Sequence, residues 1–131
     1  MSSINQSEVD QFSTLSDQWW DPNGPLKPLH KLNPTRLKYI RSQIDPHFEK
    51  DPDSLTPYKD LKILDIGCGG GLTAEPLSRL GADVTGLDAS ASNVDIAISH
   101  AADENLDIEY RPETAEAHIG RGNTQKYDVV F

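Results

Sequence analysis

The chain has 131 residues, of which 36% are hydrophobic and 25% are charged, and this length and composition fit one globular domain. No apolar run approaches the roughly 20 residues that a membrane-spanning helix needs. With 21 acidic against 12 basic residues the net charge is −9, which disfavours nucleic acid or an anionic membrane as a general partner. The single cysteine, Cys68, excludes an internal disulfide and a zinc site built from several cysteines.

The N-terminal part of the chain is predicted to be helical. Residues 1–6 are polar and predicted to be disordered, and residues 7–20 are predicted to form a weakly amphipathic helix. Prolines and a glycine in residues 21–31 predict an extended loop. Asn33 and Pro34 then supply a capping residue followed by proline at the first helical position. Apolar residues recur at helical spacing after them, which predicts a helix over residues 34–44.

The chain changes character at residue 61. Residues 45–60 hold three prolines among acidic residues, which predicts a linker or surface insertion. After it, strands are predicted over residues 61–66, 83–87, 108–110 and 127–131, and helices over residues 72–80 and 92–102. Pro76 predicts a kink or a late start in the first of these helices, and Gly81 its end. The alternation predicts an α/β fold with a parallel sheet, whose ligand binds beyond the carboxyl ends of the strands.

A glycine-rich turn follows the first predicted strand. Gly67, Gly69, Gly70 and Gly71 lie there, and Asp88 stands at the end of the second predicted strand. Glycines allow a ligand to approach the backbone and the free N–H groups of the helix behind them. The spacing of 21 residues between Gly67 and Asp88 suits a carboxylate that accepts hydrogen bonds from two ribose hydroxyls. These features predict a pocket for a nucleoside that bears a small anionic group.

The turn departs from the dinucleotide-binding pattern. That pattern is G-x-G-x-x-G or G-x-G-x-x-A, but Leu72 occupies the last position here. Asp65, two residues before the first glycine, would repel a pyrophosphate and attract an ammonium group. S-adenosylmethionine, which combines adenosine, an ammonium group and a sulfonium, fits these residues better. An NAD-dependent oxidoreductase half-domain and a non-catalytic nucleoside-binding partner module are the alternatives.

Several segments resemble one enzyme family. The sequence LDIGCGGG at residues 64–71 resembles the first motif of class I S-adenosylmethionine-dependent methyltransferases. QWWD at residues 18–21, KPLHKLNPTRL at residues 27–37 and GLD at residues 86–88 resemble the ubiquinone-biosynthesis O-methyltransferases more narrowly. Members of this family methylate a hydroxyl of a polyprenylated dihydroxybenzoate or demethylubiquinol ring. The resemblance implies a Rossmann-like class I fold whose parallel sheet has flanking helices and is preceded by N-terminal helices.

The resemblance also implies roles for individual residues. Arg36 would pair with the methionyl carboxylate, Gly67 and Gly69 would line the methionyl part, and Asp88 would hold the ribose. A solvated cation is the alternative for Arg36, and a helix cap or turn former is the alternative for Asp88. Asp65 would either cap the turn or contact the ammonium group through water.

Further expectations concern the adenine end and the aromatic residues. Many members of the class place an acid where Thr114 stands, so the expected adenine contact comes from the backbone of Thr114 or Ala115. Trp19 and Trp20 would form part of a lid over the cofactor or an anchor for the N-terminal helix. Cys68 is expected to be a small packed residue. None of the four histidines has the spacing of a metal ligand set.

The remaining expectations concern the extent and setting of the protein. The predicted parts are a helical arm (1–44), a linker (45–60) and the first half of an S-adenosylmethionine-binding domain (61–131), truncated after the fourth strand. The family would keep its ligands for Mg²⁺ just after that strand, so no catalytic or metal residue is assigned and the chain is expected to be inactive alone.

The implied partners are a polyprenylated catechol substrate and other ubiquinone-biosynthesis proteins, with no nucleic acid and with membrane contact only through a missing half. The implied location is the matrix side of the mitochondrial inner membrane. No targeting segment is visible, because residues 1–26 contain no Lys or Arg.

Overall fold

The computed structural model describes residues 18–120 and 126–131. The N-terminus predicted to be disordered, and almost all of the helix predicted over residues 7–20, lie outside the described residues. In chain order the elements are α1 (Lys27–His47), β1 (Lys62–Ile66), α2 (Ala74–Arg79), β2 (Asp83–Leu87), α3 (Ala91–Asp103), β3 (Glu109–Arg111), α4 (Ala115–Gly120) and β4 (Val129–Val130). No helix in this part of the chain combines the length and the hydropathy needed to cross a membrane.

The described strands form one parallel sheet in the order β3-β2-β1-β4. β1 and β2 pair along their whole length, from Lys62 opposite Asp83 to Ile66 opposite Leu87. This arrangement confirms the predicted α/β fold. Since every strand runs the same way, the segments that follow β1, β2 and β3 meet at one edge of the sheet.

The core lies between the sheet and the helices. Ile63 and Val84 from the two central strands belong to the same buried apolar cluster as Leu77 of α2 and Val94 of α3. On α3, Val94, Ala97 and Ala101 are buried, whereas Ile98 is 48% exposed. Central strands of a parallel sheet are covered on both faces, and this explains why the inner residues of β1 and β2 are buried.

Helix α1 begins earlier than the sequence predicted. The loop predicted over residues 21–31 ends at Leu26, and Pro28 lies in the first turn of the helix, where a missing N–H costs nothing. Asn33 does not cap a helix; its side-chain Nδ2 donates to the backbone carbonyl of Leu72, at 2.7 Å. Pro34 therefore lies inside α1. The prediction was wrong because Asn-Pro resembles a helix start wherever it occurs.

The segment predicted to be a linker packs on the sheet. α1 continues to His47, past Pro46, and Tyr58 is fully buried in the same cluster as Ile44. The Tyr58 hydroxyl donates to Asp45 Oδ1 at 2.5 Å, and burial, followed by this carboxylate, raises the pKa of Tyr58. The division of the chain into arm, linker and sheet domain stays a prediction.

The helices after the strands have recognisable ends. α2 begins late, with Pro76 in its first turn as predicted, and Gly81 ends it with a φ of 102°. The Ser90 hydroxyl caps α3 by accepting from the backbone N–H of Asn93. The sequence predicted no helix α4, which begins after Thr114. β4 is shorter than the strand predicted over residues 127–131.

Candidate functional site

A cleft of about 780 Å³ lies at the carboxyl edge of the sheet, within the size range of small-molecule sites. Its lining contains all seven residues that the sequence singled out: Arg36, Asp65, Gly67, Gly69, Asp88, Thr114 and Ala115. They come from α1, from β1 and the turn after it, and from the segments that follow β2 and β3. The structure thus brings together residues that are up to 79 positions apart in the chain, from position 36 to position 115.

The glycine turn opens into this cleft. Gly67 and Gly69 have φ values of 74° and 55°, a conformation that residues with a side chain rarely adopt. A Cβ at Gly67 would meet nothing within 4 Å, so the space beside it is free for a ligand. The N–H groups of Gly67 and Cys68 both donate to the carbonyl of Leu87, at 2.7 and 2.9 Å, and these bonds hold the turn against the end of β2.

Asp65 is a buried carboxylate at the end of β1. Its exposed fraction is 6%, and Oδ2 has no hydrogen-bond partner. Burial raises the pKa of Asp65 to about 6; the Arg36 guanidinium works against this shift and the Asp88 carboxylate adds to it. An unpartnered buried carboxylate oxygen is costly, so Oδ2 is an acceptor available to a cationic ligand.

Asp88 ties the glycine turn to the start of α3. Its Oδ2 accepts from the backbone N–H of Gly69 at 2.9 Å, and its Oδ1 accepts from the N–H of Ser90 at 2.8 Å. Asp88 therefore stabilises the turn, which is the alternative role that the sequence offered for it. Each carboxylate oxygen can accept a second hydrogen bond, so Asp88 keeps acceptor capacity for a ligand, and its contact with ribose stays a prediction.

The two tryptophans hold the N-terminal segment on the glycine turn. Trp19 Nε1 donates to the buried Asn93 Oδ1 at 2.9 Å, and Trp20 Nε1 donates to the Gly70 carbonyl at 2.8 Å. The Trp20 ring also stacks on His100, with 3.7 Å between the ring centroids and 2° between the planes. Both residues are anchors, and Trp19 in addition lines the cleft.

The loop after β3 is held by its own side chains. Thr114 Oγ1 accepts from the N–H of Ala117 at 3.1 Å and so caps α4. Glu113 Oε1 lies 2.7 Å from Nδ1 of the buried His118, and Tyr127 lies on the other side of that ring. The Thr114 side chain is therefore already used within the loop, and its carbonyl accepts from the N–H of His118. The adenine contact from the backbone of Thr114 or Ala115 stays a prediction.

Sequence reasoning missed part of the lining. Leu29, Asn93, Glu113, Glu116 and Phe131 also line the cleft. The position of Asn93 could have been predicted, since it stands three residues after the capping Ser90 and therefore lies in the first turn of α3. The others reach the cleft only through the tertiary arrangement.

The chemistry of the remaining candidates is limited. Cys68 is buried, and burial raises the pKa of its thiol, as expected for a packed residue rather than a nucleophile. Across residues 18–120 and 126–131, no three side chains of His, Cys, Asp or Glu are grouped so as to hold a metal ion.

Comparison with known proteins gives the family. A family model described as "Methyltransferase domain" matches residues 63–131, more than half of the chain. This chain belongs to the methyltransferase domain family. The glycine turn, Asp88 and the loop after β3 all lie within the matched range, so the cleft described above is the cleft of a methyltransferase domain.

Named relatives of this methyltransferase domain are similar over almost all of its length. Two proteins called ubiquinone biosynthesis O-methyltransferase, from Bartonella tribocorum and Sinorhizobium medicae, are 53% and 52% identical over 128 residues, or 98% of this chain. The aligned part is 51% of each of those proteins. The chain thus spans about half the length of the curated relatives it matches.

Solved structures agree on the fold. The magnesium protoporphyrin IX methyltransferase of Synechocystis PCC 6803, crystallised with bound SAM, aligns with 99% of this chain and 62% of its own at a TM-score of 0.66 and 17% identity. TehB from Haemophilus influenzae aligns with 73% of this chain and 28% of its own, at a TM-score of 0.54 and 25% identity. These similarities confirm the class I, Rossmann-like methyltransferase fold.

Proposed function

We propose that the cleft binds S-adenosylmethionine and that the protein transfers its methyl group to a hydroxyl of a polyprenylated dihydroxybenzoate or demethylubiquinol ring. The relatives at 51–53% identity are named for O-methylation in ubiquinone biosynthesis, and that name supports the substrate. The cleft itself supports the cofactor.

The unpartnered Oδ2 of Asp65 carries the cofactor assignment. The cleft holds this buried carboxylate together with the Arg36 guanidinium. One negative and one positive group fit the ammonium and the carboxylate of an amino-acid end. The open space beside Gly67 accommodates that end, and Asp88 at the next strand has acceptor capacity left for the ribose.

The residues of this chain bind and orient; they need not activate the donor. S-adenosylmethionine supplies a methyl group that is already activated for transfer. An acceptor hydroxyl must lose its proton to a base or beside a metal ion, and we assign neither among the described residues. The Mg²⁺ requirement implied by the family stays a prediction, which a chelator added to a methylation assay would test.

Calorimetric titration tests the binding step. S-adenosylhomocysteine and S-adenosylmethionine should bind, whereas NAD⁺ should not, because the carboxylates of the cleft repel its phosphates. D65N should weaken both adenosyl ligands by about tenfold or more, the equivalent of losing one charge-assisted hydrogen bond. D83N makes the same change at an exposed position of β2 and should leave both affinities unchanged. Preferential binding of NAD⁺ would disprove the proposal.

Methyl transfer needs a separate assay. Labelled methyl groups from S-adenosylmethionine should appear on a prenylated catechol when the assay uses a protein of the relatives' full length that contains this chain. Such a protein that binds the cofactor but transfers nothing would instead be the non-catalytic module. Location on the matrix side of the mitochondrial inner membrane, beside other ubiquinone-biosynthesis proteins, stays a prediction of the family resemblance. The relatives named above are bacterial, and fractionation of the source cells would test the location.

A further inference from the structure

Trp19 forms a fixed aromatic wall of the cleft. The side chain is 7% exposed and lines the cleft, and its Nε1 bond to Asn93 sets the orientation of the indole. Its backbone carbonyl accepts from His30 Nε2 at 2.7 Å. The six-membered ring is packed on the glycine turn so closely that a Cβ at Gly69 would lie 2.6 Å from Trp19 Cη2.

The covalent order of the ligand places its sulfur near this wall. In S-adenosylmethionine the sulfur joins the amino-acid chain to the ribose. If Arg36 and Asp65 take the amino-acid end and Asp88 takes the ribose, as the proposed function holds, the sulfur lies over the turn between Gly67 and Gly69. Trp19 is packed on the far end of that same turn.

The charge of the cleft favours a cation. Among the described residues, the carboxylates of Asp65 and Asp88 line it together with one guanidinium, that of Arg36, and Glu113 adds a carboxylate that is paired with His118. S-adenosylmethionine carries one positive charge more than its product S-adenosylhomocysteine, namely the sulfonium. General electrostatics therefore predicts that an acidic cleft with an aromatic wall favours the charged donor over the neutral sulfur of the product.

We infer that Trp19 is a specificity-determining residue whose indole contacts the sulfonium, so that the cleft prefers S-adenosylmethionine to S-adenosylhomocysteine. The inference rests on the proposed function, since it requires this cofactor in this orientation. Its consequence is that transfer of the methyl group, which removes the positive charge, itself weakens binding and promotes product release.

The test is the ratio of two dissociation constants, measured by calorimetry for S-adenosylmethionine and S-adenosylhomocysteine. The unmodified protein should bind S-adenosylmethionine more tightly than S-adenosylhomocysteine. W19L should reduce the ratio of the two affinities by about three- to tenfold, the equivalent of one cation–π contact. W19F should narrow it less. W20F is the matched control: Trp20 anchors the turn without lining the cleft, so the ratio should stay constant even if both affinities fall.

Fluorinated tryptophan gives a second test without a change of shape. The chain has two tryptophans, so in a W20F protein the label enters only at position 19. Stepwise fluorination withdraws charge from the indole face, and the preference for the sulfonium should fall with each fluorine while the affinity for S-adenosylhomocysteine stays constant. Sinefungin carries a protonated amine on carbon where S-adenosylmethionine has its methylated sulfur. Its affinity should therefore fall with each fluorine, as the affinity for S-adenosylmethionine does.

Two outcomes would overturn the inference, and they are distinguishable. If W19L and fluorination change both affinities equally, Trp19 only packs against the turn, and the proposed function is untouched. If the unmodified protein binds neither adenosyl ligand, the proposed function fails and the inference fails with it.

Discussion

Asp65 shows how a residue proposed to bind a ligand conflicts with stability. Its carboxyl is buried with an oxygen that has no partner, and burial raises its pKa to about 6. Because the pKa is raised above the unfolded value of about 3.9, this group favours folding most at low pH, and that contribution is lost as the pH rises through 6. A protein without a ligand to bind would gain from an uncharged residue at this position.

The substitution D65N removes this pH dependence. Between pH 5 and pH 7.5 the unmodified protein should lose about 1.4 kcal/mol of unfolding free energy that D65N keeps. About one pH unit of that interval lies below the folded pKa of about 6, and one unit corresponds to about 1.4 kcal/mol. Urea unfolding at the two pH values measures it. D83N, at an exposed position, serves as the control. If the free-energy difference between D65N and the unmodified protein is the same at both pH values, burial does not raise the pKa of Asp65.

Asp88 has a structural role that any binding experiment must separate from a ligand contact. D88A leaves the N–H groups of Gly69 and Ser90 without their partner and should lower the free energy of unfolding by about 1–3 kcal/mol.

The ribose contact is tested by changing the ligand as well. Removing the ribose hydroxyls from S-adenosylhomocysteine should lower its affinity for the unmodified protein. The same change should have little effect on binding to D88A, because that variant has already lost the carboxylate that would accept from the hydroxyls. Equal costs in the two proteins would mean that Asp88 only forms the turn.

At the scale of elements, the glycine turn and the tryptophan segment depend on each other. Gly70 does not have a positive φ, unlike Gly67 and Gly69. A Cβ at Gly70 would instead lie 2.7 Å from Trp19 Cγ. The close approach of Trp19, and not a positive φ, is therefore what requires a glycine at position 70.

The substitution G70A should therefore act through Trp19. It should lower the free energy of unfolding by about 1–3 kcal/mol, as expected for overpacking, and should cost little in a W19A background, where the space is free. Urea unfolding of the single and double variants measures this coupling. G120A is the control, since nothing lies within 4 Å of a Cβ there. If G70A is equally destabilising in the W19A background, the backbone conformation at position 70, and not contact with Trp19, requires the glycine.

At the scale of the whole molecule, α1 is joined to the sheet by its last turns. Ile44 is 4% exposed and shares the main core cluster with Tyr58, Leu61 and Ile63. This packing, together with the bond from Asn33 to the Leu72 carbonyl, holds α1 on the sheet, and α1 brings Arg36 to the cleft. The position of one cleft residue thus depends on contacts near the other end of its helix.

The substitution I44A tests this connection. It should lower the free energy of unfolding by about 2–4 kcal/mol, the usual cost of removing a buried aliphatic side chain, and should also weaken S-adenosylhomocysteine binding. L32A, on the same helix but at a position that is 49% exposed, should change stability by no more than about 0.5 kcal/mol. Equal effects of the two variants in urea unfolding and calorimetry would show that α1 is not anchored through Ile44.

The sheet, and the edge of it at which the cleft lies, follow from local patterns in the sequence. Buried parallel strands appear as short apolar runs, and glycines and acids at their ends mark the carboxyl edge, so β1, β2, Gly67 and Asp88 could be placed from local patterns alone. The resemblance to the methyltransferases added Arg36, Thr114 and Ala115, and all of these residues line one cleft.

Other features depend on contacts between distant parts of the chain and appear only in the folded structure. The early start of α1, the burial of Tyr58, the packing of Trp19 on Gly70 and the two bonds of Asp88 within the turn involve partners that no local pattern specifies. Propensity and spacing act over a few residues, whereas burial and close approach are set by the folded chain as a whole, and the wall of the cleft was therefore visible only in the fold.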